Sequence, residues 1–176
     1  MGNFYGGNEF KNYVNAKIKF GTNQDATPCR RMSSLRKEHT NFELNYYLEL
    51  PNDTKAIREA IEHHVKMMME RHYPELTHMG NDHFGFKTNK DEHKARVDFY
   101  LREGFRFAIE YCDMFGIEHG RIIVPHYRKA GVHYSNNKKK TKIKEDKFIA
   151  ALRQIQLTKK QEEWLKNDCG IKLTSC

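Results

Sequence analysis

The stretch that decides the fold is residues 92–115, which read EHKARVDFYLREGFRFAIEYCDMF. At 100° per residue its apolar side chains fill one broad face and its charged side chains fill the opposite one, a pattern that predicts a long amphipathic helix. Asn89 with Glu92 predicts a capping box at the start, and Gly116 predicts a left-handed cap at the end. Gly104 falls inside the apolar arc. Because a glycine costs a helix about 1 kcal/mol, its position predicts that another element approaches closely there.

The rest of the chain supplies shorter elements around this helix. Alternating runs predict strands at 14–20, 42–50, 84–86 and 121–124, and helical periods predict helices at 53–71, 144–157 and 158–168. Residues 1–12 are interpreted as an irregular arm, and 23–40 as a long polar loop.

Strands mixed with helices predict an α+β fold. We expect a small mixed or antiparallel sheet of about four strands, packed on the long central helix, and a C-terminal helical hairpin. Residues 1–143 would form the α+β domain, with a basic loop at 126–143. Residues 144–176 would form the helical pair, either packed on that domain or standing as a small appendage.

Length and composition bound the class of protein. The chain has 176 residues, of which 38% are hydrophobic and 31% charged, values typical of a globular protein. No apolar run approaches the roughly 18–20 residues that span a bilayer, so we expect no membrane partner. The four cysteines are scattered without a C-x-x-C pair, which predicts free thiols and an intracellular, cytoplasmic and reducing location.

The positive charge is concentrated in one part of the chain. Between Arg121 and Lys147 nine Lys and Arg stand against Glu145 and Asp146, a local net charge of +7 within the total of +8. A local positive field predicts an anionic partner, with nucleic acid first. A solvated loop without any partner is the plain alternative.

The basic segment also carries aromatic rings, and this combination suits nucleic acid because lysines neutralise phosphates and tyrosines stack on unpaired bases. The predicted phosphate contacts are Arg128, Lys129, Lys138, Lys139, Lys140 and Lys142, with Tyr127 and Tyr134 stacking. A second, smaller basic cluster contributes Arg30 and Arg31.

A group of histidines and an aspartate offers a metal alternative, since imidazoles and carboxylates are ligands of divalent metals. The candidates are His78, Asp82, His83 and His93. No established zinc or nuclease spacing appears among them, and the chain shows no P-loop and no G-x-S-x-G nucleophile motif. We therefore favour ordinary surface or capping histidines, with no metal and no other cofactor.

Together these patterns predict a small basic intracellular protein that binds nucleic acid without catalysis, of the accessory kind that viruses and phages encode. The choice between DNA and RNA stays open. One alternative is a metal-dependent nuclease or phosphoester hydrolase that uses the histidines and the aspartate. A further alternative is an inhibitor or assembly protein that docks on an acidic protein surface.

Overall fold

The computed structural model describes residues 1–10, 15–25, 28–38, 42–80, 83–125 and 157–170. Its strands are β1 (Gly2–Phe10), β2 (Asn15–Asn23), β3 (Phe42–Leu50), β4 (Thr77–His78), β5 (His83–Lys87) and β6 (Ile122–Ile123). Its helices are α1 (Cys29–Glu38), α2 (Lys55–His72), α3 (His93–Phe115) and α4 (Lys159–Asn167). The mixed α+β prediction is confirmed, but the sheet has six strands instead of about four.

The sheet has the order β4-β5-β2-β1-β3-β6, and all neighbouring strands run antiparallel. β1 lies between β2 and β3 and pairs with both along almost its whole length. One face of the sheet packs against α2 and α3. The strand residues Phe4, Ile18, Phe20, Leu48 and Phe84 are fully buried there in the main hydrophobic core.

β1 corrects the prediction that residues 1–12 form an irregular arm. Glycine and asparagine are depleted in strands, so the composition of this segment did not predict one. In the structure its residues are buried from Gly2 to Glu9. Gly6 and Gly7 make this possible, because an added Cβ would lie 2.9 Å from Phe105 Cε2 at Gly6 and would overlap the Phe42 ring at Gly7.

α1 corrects the prediction of a polar loop at 23–40. This helix has only two apolar side chains that are described as buried, Met32 and Leu35, so its periodic signal is weak. Both pack in a second, smaller cluster with Tyr5, Phe42 and Leu44. The helix therefore owes its position to tertiary contacts with β1 and β3, since an isolated helix of this length is marginal in water.

The ends of α3 lie where they were predicted, within one residue. Gly116 takes the left-handed conformation with φ of 64°. The capping box was wrong in its detail. Asn89 Oδ1 accepts hydrogen bonds from the backbone N–H groups of Asp91 and Glu92 at 3.0 and 2.9 Å, but the Glu92 side chain makes no cap hydrogen bond.

The prediction of a close approach at Gly104 is confirmed. A Cβ at this position would overlap the ring of Phe20 from β2, so only glycine lets the helix lie this close to the sheet. The next residue, Phe105, is fully buried, with its ring 5.0 Å from Phe4 and 5.9 Å from Tyr46. α3 is therefore the central helix of the core, as its wide apolar arc indicated.

The C-terminal helix α4 is confirmed together with its predicted capping box, in which Thr158 and Gln161 bond each other's backbone N–H groups. Leu165 is fully buried against the main core. The helix predicted at 144–157 lies outside the described residues except at its last position, so the hairpin is not confirmed. Among the helices that the structure describes, none is long and apolar enough to cross a membrane.

Candidate nucleic-acid interface

The first feature of the candidate site is a tyrosine that lies across a glycine. Tyr5 on β1 stands directly opposite Gly21 on β2 and is fully buried. A Cβ on Gly21 would lie 2.5 Å from the Tyr5 hydroxyl oxygen. The ring therefore crosses β2 at a position where only glycine leaves room for it, and Gly21 sets the direction in which the hydroxyl points.

An arginine on α1 meets that hydroxyl. Arg31 Nε donates a hydrogen bond of 3.4 Å to the Tyr5 hydroxyl oxygen. Burial opposes the charge of Arg31, but Tyr5, Glu38 and Glu62 favour it and together raise the pKa of the guanidinium. Arg31 thus stays charged while partly exposed, and it has further N–H groups with which to bind an anion.

A nearly buried carboxylate lies in the electrostatic neighbourhood of Arg31. Glu62 on α2 accepts a hydrogen bond of 2.9 Å from Thr22 Oγ1 and pairs with Lys66 Nζ at 2.8 Å. Its negative charge also favours the charged form of Arg31. Charged and hydroxyl groups from β1, β2, α1 and α2 therefore lie near one end of β2, with Tyr5 and Arg31 on one face of the sheet and Thr22 and Glu62 on the other.

The same face of β2 carries a buried lysine. Strand alternation places Lys19 on the face of Gly21 and Tyr5, and its direct neighbours are Gly7 on β1 and His83 on β5. Lys19 and His83 are each only 4% exposed. Lysine is rarely buried without a partner, and both residues have interaction partners. Lys19 and His83 give this face of β2 and β5 a polar, basic character, in contrast to the aromatic face that packs on α3.

The basic character continues towards the end of β5. Lys17 and Lys87 alternate on the same face, and Glu9 stands directly opposite Lys17. Lys17 is partly exposed and Lys87 is exposed, whereas Glu9 is buried.

This combination of groups favours binding of phosphate. A guanidinium is planar and always charged, and it bonds phosphate oxygens in a bidentate manner. A tyrosine hydroxyl and nearby ammonium groups add donors and positive potential.

The structure describes only some of the residues that the sequence predicted to contact nucleic acid. Arg31 lies in the site described above. Arg30 lies in α1, but its side chain is outside what the structure describes. The basic loop 126–143 is also outside the described residues, so this prediction stays untested for Tyr127, Arg128, Lys129, Tyr134, Lys138, Lys139, Lys140 and Lys142.

The histidines of the metal alternative do not form a metal-binding group within the described residues. His78 lies in β4 with Nδ1 3.5 Å from Glu70 Oε1, and Asp82 is not among the described residues. His83 and His93 are 4% and 9% exposed, so neither is a surface histidine; His93 is the first residue of α3, next to the cap. Burial lowers the pKa of His93.

Sequence reasoning missed Tyr5, Lys19 and Glu62. Glu62 did leave a signal, because it lies between Ile61 and Val65 on the apolar arc of α2, where a carboxylate needs a specific partner. Tyr5 and Lys19 left none, since their environment depends on the pairing of β1 with β2.

Comparison with known proteins finds no relative: no family model, curated protein or solved structure matches the chain. The class that the structure defines is an α+β protein with an antiparallel sheet, in which Arg31 bonds the Tyr5 hydroxyl near one end of β2.

Proposed function

We propose that the protein binds nucleic acid through phosphate contacts, with Arg31 as the central contact among the described residues and the basic segment 126–143 as a second source of positive charge. The observation that carries the proposal is the charged, partly exposed guanidinium of Arg31, which is oriented by the Tyr5 hydroxyl over Gly21. In this proposal the protein acts as a binding accessory and the bound strand is left intact.

The first test measures the salt dependence of binding to labelled DNA and RNA. Affinity should fall with salt on a log–log slope of about −0.7 to −0.9 per phosphate neutralised. Changing Lys138, Lys139 and Lys140 together to Ala should flatten that slope by roughly two to three units. An unchanged slope would remove the basic segment from the interface.

The second test addresses Arg31 directly. A hydrogen bond to a charged group contributes about 1.5–3 kcal/mol, so Arg31→Gln should weaken binding by roughly 10- to 100-fold. Gly21→Ala should act in the same direction, because the added methyl displaces the Tyr5 hydroxyl that orients the guanidinium. Arg102→Gln is the matched control, since it removes the same charge from an exposed position on α3. Equal losses for Arg31→Gln and Arg102→Gln would mean that only total charge matters and would overturn the site.

A second candidate function is hydrolysis of a phosphoester, and the specific observation that favours it is that the charge of the Glu62 carboxylate acts on Arg31. An arginine stabilises negative charge that develops on phosphoryl oxygens, and a carboxylate accepts a proton from water or holds a divalent cation. Glu62 is already held by Thr22 and Lys66, which is why binding without turnover is the preferred proposal.

Incubation of labelled DNA and RNA with the protein separates these functions, with and without Mg²⁺ or Zn²⁺. We expect retention of intact strands. Cleavage that Glu62→Gln abolishes while affinity persists would establish the hydrolase instead. Displacement of nucleic acid by polyglutamate as readily as by polyphosphate would favour an acidic protein surface as the partner.

A further inference from the structure

The group that stands out elsewhere in the molecule is His64, on the face of α2 that meets α4. Its side chain is fully buried, and neither ring nitrogen has a hydrogen-bond partner among the residues that the structure describes. The imidazole contacts Tyr111 of α3 at a ring distance of 4.8 Å and Trp164 of α4 at 5.3 Å. A buried polar group without a partner costs free energy, so this position is unfavourable even for the neutral ring.

Trp164 is the main aromatic contact between α4 and the rest of the core. Its ring also lies 6.4 Å from Tyr111 and 6.3 Å from Phe115. Gln161 Nε2 donates to the carbonyl oxygen of Met114 at 2.9 Å. The docking of α4 therefore depends on the fully buried Leu165 and on a group of ring contacts in which His64 takes part.

Among the described residues no negative charge acts on the His64 ring, although Glu110 and Asp113 line a cavity beside Trp164. On α2 the positive charge of the neighbouring His63 opposes protonation of His64 and lowers its pKa. Tyr111 is the titratable group of α3 in ring contact with His64, and burial raises its pKa, so it stays neutral in acid. Glu110 and Asp168 act on Cys169 at the end of α4, but neither acts on His64.

We propose that His64 is an acid-sensitive latch, such that its protonation releases α4 from α2 and α3 while the sheet and α3 stay folded. The release exposes the apolar ring surfaces that now cover Trp164.

The sign of the effect follows from linkage. Burial lowers the pKa of His64 from its ordinary 6.5 to about 3, so the docked state excludes the proton that a released helix would bind. The ratio of released to docked protein therefore rises as the pH falls below 6.5, by up to tenfold per pH unit, and it levels off near pH 3.

The chain has one tryptophan, so its fluorescence reports on the docking of α4 alone. We expect the emission maximum of the full-length protein to move to longer wavelength between pH 7 and pH 4, and iodide quenching to increase, while the far-UV circular dichroism changes little. His64→Phe keeps an aromatic ring but cannot be protonated, so its emission should stay constant over the same range.

Two outcomes would overturn the latch. One is a pH-dependent shift of equal size in His64→Phe; the other is loss of Trp164 burial only together with the whole circular dichroism signal. If His64→Phe does not fold, the latch is tested in the wild-type protein by NMR of isotope-labelled histidine. The protonation curve of His64 must then coincide with the fluorescence transition, and a mismatch between the two curves refutes the proposal.

Discussion

Gly104→Ala tests the packing of α3 on the sheet, because it adds a single methyl group at the closest approach between them. That methyl would overlap Cζ and Cε1 of Phe20 and lie 3.1 Å from Cε2. Ordinary contact between carbons needs about 3.5–4.0 Å. Phe20 is fully buried, with its ring 5.9 Å from Phe4 and 6.5 Å from Phe84, so it has no free space into which to move.

Two opposing contributions set the change in the free energy of unfolding for Gly104→Ala. Overpacking a well-packed core costs typically 1–3 kcal/mol, and the tight surroundings of Phe20 favour the upper end. Replacing glycine by alanine inside a helix returns about 1 kcal/mol. We therefore expect a net loss of about 2 kcal/mol, equivalent to a fall of roughly 4–8 °C in the melting temperature.

Urea denaturation of the variants measures this loss. Ala95→Gly, at an exposed position of the same helix, measures the propensity term separately. Phe20→Ala should cost far less in the Gly104→Ala background than alone, because the smaller side chain makes room for the methyl. A stabilised Gly104→Ala variant, or additive effects of the two changes, would refute the close packing of α3 on β2.

Three further predictions concern other parts of the molecule. Phe105→Ala should lower the free energy of unfolding by about 3–5 kcal/mol, and an unchanged urea midpoint would mean that this side chain is not in the core. The hydrogen bond to Asp113 raises the pKa of His119 above 6.5, so this contact stabilises the fold at low pH and loses its effect as the pH rises through the raised value. The difference in urea midpoint between the wild type and His119→Gln should therefore be larger at pH 5.5 than at pH 9, and a difference independent of pH would disprove the contact. His83→Ala should cost more than the roughly 0.5 kcal/mol of a surface change such as His78→Ala, and chelators should leave the melting temperature unchanged; a bound metal in the purified protein would reverse that expectation.

The elements that the sequence predicted well are those whose side chains alternate or repeat strictly. β3 runs from Phe42 to Leu50, as predicted, and its burial alternates along the strand. α3 was found for the same reason, because a long amphipathic period leaves little choice of structure.

The elements that the sequence did not predict depend on partners distant in the chain. β1 is a strand because β2 and β3 satisfy its backbone on both sides, which local propensity does not register. α1 forms because Met32 and Leu35 reach the cluster around Tyr5. The site follows the same rule: Arg31 was noticed through its charge, but its contact with Tyr5 exists only after β1, β2 and α1 have assembled.

The position of β1 at the centre of the sheet has a consequence for synthesis of the chain. The three strands that form the middle of the sheet are complete at Leu50, whereas α3, which covers them, ends at Phe115. The 65 residues between these two points (115 minus 50) take roughly 3–13 s to translate at 5–20 residues per second. During that time Phe4 and Phe20 have no α3 to pack against, and an exposed aromatic sheet surface promotes association between nascent chains. We therefore expect the yield of the protein to depend on how soon the ribosome reaches Phe115, and less on the stability of the finished molecule.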